Sequence, residues 1–249
     1  MKNRLIFDQE PKNAYINMAT DYALLLNCHV PTLRIYSWLP PAVSIGRFQS
    51  LKDEVDVAYC DKKGINYVRR ITGGGAVFHD QELTYSFCIP IKNGFFSPDL
   101  QESYRFICQA VIRGLDKIGI VAEYKPINDL LVNNKKISGC AQTRKNKTIL
   151  QHGTLLLDLD VHEMFRVLKV PKEKISDKRI ADVKQRVTSV KDEIKKPIVK
   201  ENIAHFLVKG FEETFMTRFT PSVLTPRENK LKDRLEKEIF SNYQWTHER

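Results

Sequence analysis

Apolar positions along the chain follow two spacings, and the segments that carry them are interleaved. Residues 13–27 set Ala, Met and Leu at helical spacing, with Asn17, Met18 and Asp21 among them, and predict a helix. TLRIYSW (32–38) and AVSIG (42–46) predict strands around a Pro40-Pro41 turn. Residues 52–63 predict a helix, NYVRRI (66–71) a strand, the glycines after it a turn, and LTYSFCIPI (83–91) another strand. Residues 104–119 return to helical spacing and stop at Gly119, a suitable C-cap. DLLVN, KKISGCAQT and TILQHGTLLLDLD predict three strands, the first two joined by a tight turn at Asn133-Asn134. A short helix is expected over 161–168.

Past Val170 the pattern changes. PKEKISDKRIADVKQR is almost all charge, and 171–187 is expected to be a mobile or partly helical loop. Two helices, 198–216 and 225–241, make the C-terminal portion (198–249) helical. Leu231, Leu235 and Ile239, four apart, form one core-facing stripe on the second. Hairpin-linked strands mixed with helices predict an α+β fold: a mixed, mainly antiparallel sheet packed with helices, not a doubly wound parallel sheet.

Composition narrows the picture. Hydrophobic residues make up 42% of the 249, enough for a substantial core. The formal charge of +10 calls for a negative partner: nucleic acid, nucleotide or acidic protein. Nucleic acid is disfavoured, because Lys and Arg are spread out and no recognition helix with interleaved aromatics stands out. No apolar run reaches about 18 residues, so no membrane span is expected. The start, MKNRLIFDQEPKN, lacks an apolar signal segment, and a cytoplasmic location is expected. Five scattered cysteines without a CxxC argue against a disulfide framework and against a zinc site.

Three stretches carry candidate chemistry. In VRRITGGGAVFHD (68–80), a glycine run after a strand lets backbone N–H groups converge on an anion, and Arg70 adds a forked donor for a carboxylate or phosphate. Ala76 keeps the wall low, and His79-Asp80 offers hydrogen bonds. The spacing is neither a Walker loop nor GxGxxG. In NDLLVNNKKISGCAQTR (128–144), Asn128-Asp129 suits Mg²⁺ or phosphate-bound water. Strand alternation there puts Lys136, Ser138, Cys140 and Gln142 on one face, and Ile137, Gly139 and Ala141 on the other. In ILQHGTLLLDLD (149–160), His152-Gly153 interrupts a strong strand, as a close backbone or ligand approach would require.

Taken together, RRITGGGAVFHD, NDLLVNNKKISGCAQTR, ILQHGTLLLDLD and DKRIADVKQRVTSV resemble a lipoate–protein ligase, within the group that also holds biotin ligases and octanoyltransferases. INMATDYALL, LRIYSW, VSIGRFQ and EKEIFSNYQW extend the resemblance over nearly the whole chain. It implies one catalytic domain over 1–249 with the core shared by biotin ligases and class II synthetases. It implies ATP- and Mg²⁺-dependent activation of lipoate or octanoate to an acyl-adenylate, then transfer to a lysine of an acceptor domain. Lys136 would be the catalytic cation, contacting the carbonyl and phosphate oxygens. Arg70, Gly74, Gly75, Ala76, His79, Ser138, Gly139, His152, Gly153 and Thr154 would line the substrate and adenylate site. Asn128 and Asp129 would serve ATP phosphates and metal, and 171–187 would be the adenylate-binding loop. The acceptor would be an acidic lipoyl domain, of 2-oxoacid dehydrogenase E2 or glycine cleavage H type.

Two departures matter. The ligase version of the first motif continues HDxGNxNF; here it reads HDQELTYSF, closer to the octanoyltransferase branch. The chain also stops about where the catalytic core ends, so the accessory domain of the long ligases is expected to be dispensed with or supplied as a separate subunit. The alternative is therefore ATP-independent octanoyl or lipoyl transfer through a cysteine thioester. The transferase cysteine precedes the lysine strand in a loop, where this chain has none, and Cys140 becomes the alternative nucleophile.

Overall fold

The structure is a computed structural model that describes residues 2–91, 99–169, 185–194 and 199–248. In chain order the elements are β1 (Asn3–Phe7), α1 (Ala14–Leu26), β2 (Thr32–Tyr36), β3 (Ala42–Ile45), α2 (Leu51–Glu54), α3 (Val57–Lys63), β4 (Asn66–Arg69), β5 (Val77–His79) and β6 (Glu82–Pro90). Then come α4 (Leu100–Asp116), β7 (Glu123–Lys125), β8 (Asp129–Val132), β9 (Lys135–Lys145), β10 (Thr148–Leu156) and α5 (Val161–Val167). Last are α6 (Val190–Ile194), α7 (Lys200–Thr214), β11 (Phe219–Pro221), α8 (Pro226–Leu235) with a π-helical continuation at Glu236–Phe240, and α9 (Tyr243–His247).

The expected mixed sheet is present as two sheets. The larger has the order β11-β1-β2-β6-β10-β9-β8-β7, parallel at β11-β1-β2 and antiparallel beyond. The smaller is β4-β3-β5. The main core fills the space between the large sheet and the pair α4/α7, with Leu33, Tyr85 and Phe87 meeting Ile107, Val111, Leu207 and Phe211. Helix α1 covers the opposite face, where Leu24 and Leu25 meet Cys88 and Leu150. Its other side joins Tyr36, Trp38, Val68, Leu235 and Phe240, so the expected stripe on α8 does face core.

Local chemistry explains where elements start and stop. Helix α4 begins four residues earlier than periodicity predicts, because the Asp99 side chain accepts from the Gln101 N–H and caps it. Its regular part ends at Asp116, before Gly119, which takes φ +80° in the turn beyond. The helix expected over 52–63 is two, since Asp56 caps a new start by accepting from the Tyr59 N–H. Asn133 and Asn134 have φ of 49° and 63°, as the two-residue hairpin between β8 and β9 requires. Residues 170–184, most of the loop expected at 171–187, lie outside the described residues. Its last residue, Val187, pairs with Lys136 in a parallel bridge.

The two main helices touch through glycine. A Cβ on Gly210 would stand 2.1 Å from the Ala110 carbonyl oxygen and 2.5 Å from the Gly114 nitrogen. Both are backbone atoms and cannot yield as a side chain would. Gly210→Ala is therefore expected to lower unfolding free energy by about 1–3 kcal/mol or more, read from the urea midpoint; an unchanged midpoint would contradict this packing.

Candidate active site

A cavity of about 290 Å³ opens between the two sheets. Met18, Tyr36, Trp38, Phe78, Leu156, Leu159, Met164 and Leu168 give it apolar walls, and Arg70, Lys136, His79 and His152 supply polar groups. Such a mix holds an apolar chain while fixing one polar end.

The glycine loop does something other than what the sequence suggests. Arg70 is buried, and its five N–H groups are all engaged. Nε donates to Thr72 Oγ1 (3.2 Å), one terminal nitrogen to the Ser44 carbonyl (2.9 Å) and Ser44 Oγ (3.2 Å), and the other to the carbonyls of Gly73 (2.8 Å) and Gly75 (2.7 Å). Arg70 is thus not a free fork for a ligand carboxylate or phosphate; it pulls the loop carbonyls toward itself. Among the described residues the N–H groups of Gly74, Gly75 and Ala76 have no protein partner, and all three residues line the cavity. Burial pushes the Arg70 guanidinium down to about 10, so it remains a cation at neutral pH directly behind these donors.

Glycine is required at two points here. Gly74 sits at φ +95° with Arg70 packed on it. A Cβ on Gly46 would lie 2.0 Å from the Gly74 carbonyl oxygen. The C-terminal helix α9 braces the same region from behind: Trp245 Nε1 donates to the Arg69 carbonyl (2.8 Å), and Arg69 Nε to the Trp245 carbonyl (2.8 Å).

Strand alternation misplaces the second motif. Leu130 pairs with Ser138, but Leu131 pairs with Lys136, so Ile137 is an extra residue in β9. The bulge shifts Lys136 to the Gly139 side: its ammonium stands 2.8 Å from where a Gly139 Cβ would be. Lys136 lines the cavity, with Nζ 2.6 Å from Asp129 Oδ1. Cys140 stays on the opposite face with Gln142 and Gln151. Its Sγ lies 3.5 Å from Cys108 Sγ and donates to the Asn128 carbonyl at 3.3 Å. The hydrogen bond with Cys108, reinforced by burial, raises the Cys140 thiol well above the usual range.

Of the residues predicted from sequence, Arg70, Gly74, Gly75, Ala76, His79, Asn128, Lys136, Gly139, Cys140, His152, Gly153 and Thr154 all line the cavity. Ser138 does not; it is buried. The expected interruption at His152-Gly153 is absent, since β10 runs unbroken through both; the glycine has a core reason as well, because a Cβ there would strike the Tyr85 ring at 2.7 Å. Asn128 Nδ2 donates to the Cys140 carbonyl (2.6 Å), and Asp129 offers one carboxylate engaged with Lys136. Among the described residues no three His, Cys, Asp or Glu gather to hold a metal. Any Mg²⁺ at Asn128-Asp129 would draw most of its ligands from a phosphate substrate.

Sequence reading missed the support beneath the cavity. His79 stacks on Trp38, ring centroids 4.0 Å apart and 14° from parallel. His152 reaches Asp21 Oδ2 through Nδ1 (3.1 Å) and Thr72 Oγ1 through Nε2 (2.8 Å). Asp21 also receives Arg34 (2.8 Å) and the Tyr36 hydroxyl (2.9 Å), and Arg34 reaches Asp8 at 2.7 Å. The available signal was a charge inside an apolar helix face, Asp21, and another inside a buried strand, Arg34.

Fold and cavity define a class. Residues 13–212 match the lipoyl protein ligase A/B catalytic domain, and the chain belongs to that family. It is similar to the octanoyltransferase LipM of Clostridioides difficile, 34% identical and covering 96% of this chain and 95% of that protein. It is similar to LipM of Kyrpidia tusciae at 35% identity, covering 90% and 91%. Among solved structures it resembles a chain of the bipartite lipoate protein ligase and E2 lipoyl domain system of Thermoplasma acidophilum, with TM-score 0.91 and 31% identity over 99% of this chain and 96% of that one. A lipoate-protein ligase A bound with ATP gives TM-score 0.86 at 29% identity, covering 99% of both chains.

These relatives correct the expected reaction. ATP-dependent ligation was the leading expectation, but curated relatives that match over nine-tenths or more of both chains are octanoyltransferases. The HDQELTYSF departure already pointed that way. Among the described residues no helix is long and apolar enough to cross a membrane.

Burial opposes the ionisation of Asp8 and Asp21, but the hydrogen bond from His152 and the Arg34 guanidinium at Asp21, and Arg34 and Lys12 at Asp8, outweigh it and hold both carboxyls below their ordinary value. Depressed carboxylates stabilise the fold above the unfolded value of about 4, and that stabilisation is lost as pH falls through the folded values. Arg34→Met should therefore cost about 3–5 kcal/mol at pH 7. Its deficit relative to the wild type should shrink below about pH 4, as read by urea unfolding at a series of pH values. A deficit independent of pH would contradict the pairing.

Proposed function

We propose that the chain transfers an octanoyl-class acyl group, without ATP, onto a lysine amine of an acceptor lipoyl domain. What carries the reading is the end-to-end likeness to octanoyltransferases, together with a cavity that pairs apolar walls with a cation and free backbone donors. The acyl chain lies along Trp38, Phe78 and Leu156. Its carbonyl faces Lys136 and the N–H groups of Gly74, Gly75 and Ala76, which stabilise negative charge as it develops. The net charge of +10 suits an acidic acceptor.

Cys140 is the one cysteine among the described residues that borders the cavity, with its thiol turned to Cys108, and it is the group assigned to hold the acyl chain. Its thiol must first turn from Cys108 toward the cavity and lose its proton. The thiolate then adds to the donor thioester carbonyl, the donor C–S bond breaks, and the donor sulfur takes up the proton. A neutral lysine amine of the acceptor next attacks the enzyme thioester. The amide forms, the C–S bond breaks, and the amine proton returns to Cys140. Lys136, as a cation, stabilises both tetrahedral intermediates.

The test mixes octanoyl-loaded carrier protein and a lipoyl domain without ATP, with mass spectrometry as readout. The expected result is octanoylated lipoyl domain, an acyl adduct on Cys140, and loss of both in Cys140→Ser. Lys136→Ala should slow transfer about 100-fold or more. Transfer that persists in Cys140→Ser without an adduct would remove the thioester step. Product formed only from free octanoate or lipoate plus ATP would overturn the reading and make the reaction an adenylation.

A further inference from the structure

Two polar chains run under the cavity floor and meet at Arg70. On one side Ser44 Oγ accepts from Arg70 and lies 2.8 Å from His79 Nε2, and His79 Nδ1 lies 2.7 Å from Glu82 Oε1. On the other Thr72 Oγ1 accepts from Arg70 and lies 2.8 Å from His152 Nε2, and His152 Nδ1 lies 3.1 Å from Asp21 Oδ2. Each limb thus reads guanidinium, hydroxyl, imidazole, carboxylate.

The direction of every bond follows from its ends. A guanidinium only donates, so each hydroxyl accepts from Arg70 and gives its own proton to the imidazole Nε2. An ionised carboxylate only accepts, so each imidazole gives Nδ1–H to it. Both histidines are then held in one tautomer by the carboxylate behind them. Glu82 is further ordered by Thr84 Oγ1, which donates to the same Oε1 at 2.7 Å and accepts from Trp38 Nε1 at 2.8 Å. Its second oxygen, Oε2, is buried without a hydrogen-bond partner among the described residues. A buried acceptor left unpaired costs free energy, so stability alone does not account for a carboxylate at this position.

We propose that Glu82 and Asp21 are positioning residues for acyl transfer: through His79 and His152 they hold the Arg70 guanidinium on the Gly73 and Gly75 carbonyls, and so aim the loop's free N–H groups into the cavity. The proposal rests on the acyl-transfer reading above. Neither carboxylate lines the cavity, so neither touches substrate. Glu82 falls in the part of HDQELTYSF where the ligase pattern could not be carried over, so this chain's own sequence supplies one of the two anchors. An amide in place of either carboxylate keeps the shape but can donate to Nδ1. The imidazole proton then moves to Nε2, the hydroxyl must accept from it as well as from Arg70, and the hold on Arg70 from that side weakens.

The test uses the full chain as wild type, Glu82→Gln, Glu82→Asp and Asp21→Asn. Imidazole ¹⁵N spectra read the tautomers, urea unfolding reads the fold, and steady-state octanoyl transfer separates kcat from KM. The wild type should show His79 and His152 with the proton on Nδ1. Glu82→Gln should move the His79 proton to Nε2 and lower kcat about 10- to 100-fold with KM within about twofold, because a misplaced donor weakens the transition state more than binding. Glu82→Asp should restore the tautomer and part of kcat. A wild-type His79 protonated on Nε2, or a tautomer change that leaves kcat unaltered, would overturn the proposal. If Asp21→Asn unfolds because Arg34 loses its partner, the Glu82 pair still decides. The spectra need no turnover, so they test the positioning geometry even where octanoyl transfer itself is not observed.

Discussion

The site depends on one buried cation whose hydrogen bonds are all made within the protein. Arg70 spends five donors on Thr72, Ser44, Gly73 and Gly75. Because the loop carbonyls turn inward to meet it, the N–H groups of Gly74, Gly75 and Ala76 are left without a protein partner among the described residues, beside the cavity. A glycine loop alone could fold in many ways; the guanidinium selects one. Gly46 and Gly74 remove the side chains that would block this approach, and α9 braces Arg69 at the end of β4, directly before Arg70. A positive charge fixed behind unpaired donors is an arrangement suited to developing negative charge on a carbonyl oxygen.

A second constraint divides the chemistry of β9 between its two faces. The single extra residue at Ile137 places Lys136 over the cavity beside Gly139, while Cys140 keeps its thiol toward Cys108 and α4. The cation is thus in place for an acyl carbonyl, and the thiol is stored away from it. In the proposed transfer through Cys140, reaction is coupled to a side-chain rotation that separates the two sulfurs, and the raised thiol stays protonated until then.

Most of the fold was legible, for identifiable reasons. Helical and strand periodicity located α1, α4, α8 and β6, and Asn133-Asn134 announced its hairpin. The stripe of Leu231, Leu235 and Ile239 faces core as expected. Asp99 and Asp56 moved helix boundaries because capping is a side-chain bond that periodicity does not register. Cavity residues were legible as motifs, but their roles were less so. The partners of Arg70 are largely carbonyls, which leave no mark in a sequence. Parity along β9 failed because a bulge needs only one extra residue and has no required composition. Gly153 looked like a ligand approach, yet its missing side chain is also filled by Tyr85 from the other face. The carboxylates under the floor, Asp21 and Glu82, stood in plain view without a partner to read them against. The leading reaction followed the ligase-like Asn128-Asp129, whereas HDQELTYSF pointed to the octanoyltransferases, the kind of relative that matches nearly the whole chain.

Arg70 either shapes the loop or binds the ligand itself. A crystal structure with an octanoyl ligand in the cavity tests this most directly. The prediction is an Arg70 guanidinium still bonded to the Gly73 and Gly75 carbonyls, with the acyl carbonyl oxygen accepting from loop N–H groups and lying within reach of Lys136. A guanidinium that has left those carbonyls to bind the acyl oxygen would contradict it.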